Sequence, residues 1–125
     1  MSTRRSLELT MWAGVVGAPA VWACQHVFGF GVTQAACSPA GRMWDVPVDT
    51  WTAIATAVAA LLALAALAAS IVTFRAVRSV GEDGPPPEGR IYFMSICGIV
   101  ITPLFLAIIL MSGIGALILP NCRQG

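Results

Sequence analysis

Three long apolar stretches, separated by short polar ones, run through the chain: Leu9 to Ala36, Thr50 to Val77 and Ile91 to Leu119. The first and third carry no Asp, Glu, Lys or Arg, and the second none before Arg75. A helix rises ~1.5 Å per residue, so each stretch is long enough to cross a ~30 Å hydrocarbon core. The pattern predicts an all-α integral membrane protein, a single membrane domain over residues 1–125, with transmembrane helices at about 9–36, 50–77 and 91–119.

The second stretch organises the other two. It holds ten alanines between Ala53 and Ala69. Thr52, Thr56, Ala59, Ala63, Ala66, Ser70 and Thr73 follow at alternating spacings of four and three, one stripe of a helix. Leu61, Leu64, Ile71 and Val72 fall outside it. All four hydroxyls between Thr52 and Thr73 lie on the stripe. Small residues let a second backbone come close, and hydroxyls can bond across the gap; both hold helices together in lipid. In the first stretch Ala13, Gly17, Ala20, Cys24 and Gly31 also share a face at helical spacing, which makes that face the expected mate for the seam. Pro19 removes a backbone hydrogen bond and predicts a bend near Val15.

The connections are polar and rich in helix breakers. Cys37 to Asp49 carries Pro39, Gly41 and Pro47. Asp45 or Asp49 is placed to cap the second helix, and Trp44 and Trp51 suit a headgroup belt. Gly81 to Gly89 reads G-E-D-G-P-P-P-E-G and predicts an extended, polyproline-like connector. The third stretch has 29 uncharged residues, more than one crossing needs, so it must tilt, bend at Pro103 or protrude. At the start, Thr3-Arg4-Arg5-Ser6-Leu7 has the look of a twin-arginine signal and Val21-Trp22-Ala23-Cys24 of a lipoprotein box. Trp22 fits badly before a processed cysteine, and the segment is expected to be a retained anchor.

Composition agrees with the pattern: 58% of residues are hydrophobic, 10% charged, and the mean hydropathy is +0.83. Net charge is +1, with seven arginines and no lysine, so the basic patch that nucleic-acid binding requires is absent. The arginines predict orientation. Arg4, Arg5, Arg75, Arg78 and Arg90 fall on one side of the three spans, Arg42 and Arg123 on the other, which predicts an inside N-terminus and an outside C-terminus. Cys37 and Cys122 then lie outside, each just past a helix, where an oxidising compartment permits a disulfide. Cys24 and Cys97 are expected to be small packing residues.

Candidate chemistry is sparse. All six acids sit outside the apolar stretches, and His26 is the one histidine. A lone polar ring within the bilayer is costly unless paired, so His26 marks a contact or a site. With Gln25 and Trp22 beside it, it is a candidate contact to a partner subunit. Haem ligation by His26 would need Met94 or Met111 as second axial ligand, and both are better explained as apolar filler. No Cys/His pair has metal-ligand spacing. The expectation is no catalytic residue and no cofactor or metal bound by this chain alone, with bound lipid allowed.

One set of residues carries a resemblance: Gly17-Ala18-Pro19-Ala20-Val21-Trp22 with Gln25-His26, then Cys37, Arg90 leading into Tyr92-Phe93, and the closing Leu119-Pro120-Asn121-Cys122. Together they resemble small three-helix membrane proteins found beside terminal oxidase components in bacterial respiratory gene clusters, of the haem–copper oxidase or alternative complex III type. In that pattern Pro is followed directly by Cys, whereas Asn121 intervenes here. The resemblance implies an accessory or assembly role around such an oxidase or its quinol-oxidising partner, in a bacterial inner membrane. The leading expectation is a non-catalytic accessory subunit of a larger, respiratory membrane complex. The alternatives are a small self-assembling transporter or channel, and an oxidase assembly factor handling thiols or copper.

Overall fold

The structure, a computed structural model, describes residues 3–40 and 45–122. It is all-helical among those residues: α1 (Thr3–Cys37), α2 (Val48–Val77) and α3 (Glu88–Ile118). All three are long and apolar enough to cross a membrane, which makes the chain a multi-pass membrane protein. The helices have 35, 30 and 31 residues, and α1 and α3 run unbroken through Pro19 and Pro103. Two short connections make α2 antiparallel to both neighbours, and each helix packs on the other two.

Several local expectations give way. Neither Asp45 nor Asp49 caps α2; Pro47 holds the N-cap position without a side-chain bond. Asp49 instead sits in the first turn and accepts a hydrogen bond from Asn121 Nδ2 at 2.9 Å. The Gly81–Gly89 connector is folded rather than extended. Gly84 N–H donates to the Gly81 carbonyl and Glu88 N–H to that of Pro85, and α3 starts at Glu88, three residues before the predicted boundary at Ile91. Gly81 adopts φ +74°, a left-handed conformation that glycine reaches without steric cost and that turns the chain out of α2. Trp44, expected at the headgroup belt, lies outside the described residues, as do Arg42 and Arg123 from the charge count.

The interior is layered from one end to the other. At the Arg4 end, Met11, Val77 and Ile91 form a buried cluster, with Leu7, Tyr92 and Met94 against it. Next comes a close approach of the three helices, where Ser70 of α2 lies between Gly14 of α1 and Gly98 of α3. A second apolar cluster follows, built from Ala18, Ala59, Ala63, Ala66 and Ile109, with Val21, Trp22 and Phe105 packed on it. The ends are tied. Arg4 pairs with Glu88 at 3.2 Å and Arg90 with Glu8 at 3.0 Å, joining the starts of α1 and α3. Both pairs are largely exposed and contribute little, about 0–1 kcal/mol each. At the other end Cys37 and Cys122 are bridged by a disulfide, with Cα atoms 5.5 Å apart.

The face of α2 turned inward carries Ala59, Ala63, Ala66, Ser70 and Thr73, all buried, with Thr52 and Thr56 half-buried at its start. The face of α1 does not match the expected mate. Ala13, Ala20, Cys24 and Gly31 are exposed, and only Gly17 stays partly inside, where a Cβ would come 3.0 Å from that of Ala66. Cys24 is therefore not a packing residue of this bundle. The inward face of α1 is Met11, Gly14 and Ala18, continued by Val21 and Gln25. It lies roughly a third of a turn away on the wheel. The physical reason is close approach: Gly14 is the α1 residue that admits Ser70, and Ala18 packs on Ala59, Ala63 and Ala66, so the residues of α1 that meet the seam are small but are not the ones the spacing picked out.

A polar cavity and an outward seam as the candidate site

Above the Ala18–Ile109 layer the interior turns polar. Gln25 is drawn inward by the 3.6-residue period that also buries Ala18 and Val21. Its Nε2 donates to Thr56 Oγ1 at 3.0 Å and to the Ile109 carbonyl at 3.3 Å, so one amide joins all three helices. Gly113 makes room for this layer, because a Cβ there would lie 2.9 Å from that of Thr56. Gln25 Oε1 is buried and has no hydrogen-bond partner among the described residues. Gln25 was expected to reach a partner subunit; the structure uses it within the chain.

Trp22 is also held internally. Its ring packs edge-on against Phe105 with centroids 5.6 Å apart, and tilted against His26 at 5.2 Å. Its Nε1 is buried without a partner among the described residues. His26 itself is exposed. Of the three partner-contact candidates, His26 alone faces outward.

From the Gln25 layer to the Cys37–Cys122 bridge the helices part around a cavity of about 630 Å³. Its walls take Gln25, His26, Thr33 and Gln34 from α1, Thr52 and Thr56 from α2, and Ser112 from α3. Asn121 and both bridged cysteines close the far end. No Asp, Glu, Lys or Arg lines it among the described residues. Among its lining residues His26, Phe30 and Gln34 of α1 and Met111 of α3 are exposed, so the cavity is open to the surroundings. Met111 thus shares the cavity with His26, while Met94 packs in the cluster at the opposite end. Among the described residues no three of His, Cys, Asp or Glu gather as a metal would require.

Thr33, Gln34, Ser112 and Asn121 carried no expectation from the sequence. The signal was present: uncharged polar residues cluster at matching depth on all three helices, near the end bearing Cys37. Compared with known protein families, curated proteins and solved structures, the chain matches none. Likeness to oxidase-associated proteins therefore stands on the quoted residues alone.

Proposed function

We propose that this chain is a non-catalytic accessory subunit of a larger membrane complex, respiratory in kind, in a bacterial inner membrane. The observation that carries this reading is the outward line of Ala13, Ala20, Cys24 and Gly31 on α1. Alanine and glycine facing lipid gain nothing there, whereas a smooth strip lets a neighbouring helix approach closely. Within the bundle α1 has already met both of its neighbours through a different face, that of Met11, Gly14 and Ala18. The strip has no mate among the described residues, and a companion helix supplies one.

The five arginines Arg4, Arg5, Arg75, Arg78 and Arg90 gather at one end, which supports an inside N-terminus and an outside C-terminus. The bridge at the other end then lies in an oxidising compartment, where disulfides persist. Pairing of Cys37 with Cys122 weighs against a thiol- or copper-handling factor, which needs both reduced. The apolar Ala18–Ala63–Ile109 layer below Gln25 weighs against a channel through the single bundle. The respiratory assignment is taken from the resemblance described above.

Purification of the tagged chain in mild detergent tests the proposal. A haem-bearing membrane complex in near-equal amount is expected, detected by its visible absorbance and by its subunits. Recovery of the chain alone, or only with copies of itself, counts against it.

A further inference from the structure

We propose that the cavity beneath the Cys37–Cys122 bridge is a binding site for an uncharged amphiphile. Its head would carry hydroxyl and carbonyl oxygens, and its apolar tail would leave laterally between α1 and α3. The inference is independent of the subunit reading, because the cavity and the outward seam lie on different faces of α1.

Three observations converge. The first is size and lining. At about 630 Å³ the cavity falls within the range of small-molecule sites, and its polar groups are amides, hydroxyls and one imidazole. The amides and hydroxyls donate and accept hydrogen bonds without charge. A phosphate head would find no described cationic side chain among them, whereas a glycerol ester or another neutral oxygen-bearing head would be matched.

The second is the opening. Phe30 is 68% and Met111 72% exposed among the lining residues, so the cavity opens beside two large apolar side chains while Gln25 and Thr56 lie deeper in it. A molecule with its polar group at one end and hydrocarbon at the other fits that gradient. His26, on the wall and reaching the surface, is placed to bond the head near the entrance.

The third is the pair of glycines that keep the space open. Gly29 of α1 and Gly115 of α3 both line the cavity, and nothing lies within 4 Å of where a Cβ would be. Gly14, Gly98 and Gly113 differ, since each is required by a neighbouring helix. A helix-interior glycine costs about 0.8–1 kcal/mol relative to alanine. At Gly29 and Gly115 no contact within the chain offsets that cost, and any side chain would project into the cavity.

The test uses the full chain purified in a neutral detergent, with native mass spectrometry as readout. Two probes share the same tails: 1,2-dioctanoylglycerol, which is uncharged, and dioctanoylphosphatidic acid, which is anionic. The expected result is one dioctanoylglycerol retained per chain, with at least about tenfold preference over the acid. Gly115→Leu and Gly29→Leu should each cut that retention about tenfold by filling the space, and Ala57→Leu, on the exposed face of α2, should leave it unchanged. Formation of the Cys37–Cys122 bridge and an unchanged melting temperature show that each variant is folded. Retention of neither probe, equal retention of both, or wild-type binding by folded Gly115→Leu and Gly29→Leu would overturn the proposal.

Discussion

Gly14 and Ser70 bring α1 and α2 together almost main chain to main chain: a Cβ on Gly14 would sit 2.9 Å from the Ser70 nitrogen and 3.1 Å from its Cα. The same serine closes on α3, where a Cβ on Gly98 would lie 3.1 Å from that of Ser70. Thr102 Oγ1 donates to the Gly14 carbonyl at 3.4 Å, so the three helices share one contact point. Because the obstacle at Gly14 is backbone, it cannot be relieved by a rotamer change. Gly14→Val should destabilise the bundle by about 1–3 kcal/mol, the usual cost of overpacking, measured as a lower melting temperature in detergent.

Ser70 should behave differently. Its hydroxyl is buried with no hydrogen-bond partner among the described residues. An unsatisfied buried hydroxyl is a cost in itself, about 1–3 kcal/mol. Ser70→Ala should therefore be neutral or stabilising, whereas Ser70→Leu should fail against Gly14 and Gly98. Thermal melting of the two variants side by side checks this.

That contact point also shows what the sequence revealed and what it concealed. The α2 seam was legible because Ser70 and Thr73 continue a line of alanines at helical spacing, and a hydroxyl is a phase marker in an apolar helix. On α1 the small residues Ala13, Ala20 and Cys24 marked the wrong face. In lipid both faces of a span are apolar, so hydropathy alone holds no phase information. The inward face is set by complementarity: Gly14 admits Ser70, and Ala18 packs on Ala59, Ala63 and Ala66. Gln25 gave a true signal, an amide too polar for lipid, but its mates were Thr56 and a main-chain carbonyl of α3, which no pattern along one helix displays. The polar residues of the cavity were visible at matching depth on the three helices, but the space between them depends on how the helices diverge.

The Gln25–Thr56 bond should be measurable by a double-mutant cycle. Gln25→Leu and Thr56→Val remove it from either side. Hydrogen bonds between membrane helices are modest, so the coupling should be about 0.5–1.5 kcal/mol. Additive losses would mean that each side chain acts alone.

The bridge between Cys37 and Cys122 closes a loop with a sequence separation of 85. Cys37→Ser, Cys122→Ser and the double variant should lose similar stability, about 2–4 kcal/mol. Helices persist in the denatured micellar state, which places the effect toward the lower end. Alkylation of the denatured chain should count two thiols, Cys24 and Cys97, before reduction and four after it.

The outward line on α1 is where the account is most exposed to test. A photocrosslinking residue at position 20, introduced into the native membrane, reports what lies against that strip. A control at Leu64, exposed on α2, reports a face assigned no companion. The account predicts that position 20 crosslinks in high yield to one foreign subunit of a haem-bearing complex and that position 64 does not. Crosslinking at position 20 to lipid alone, or to another copy of this chain, would contradict it.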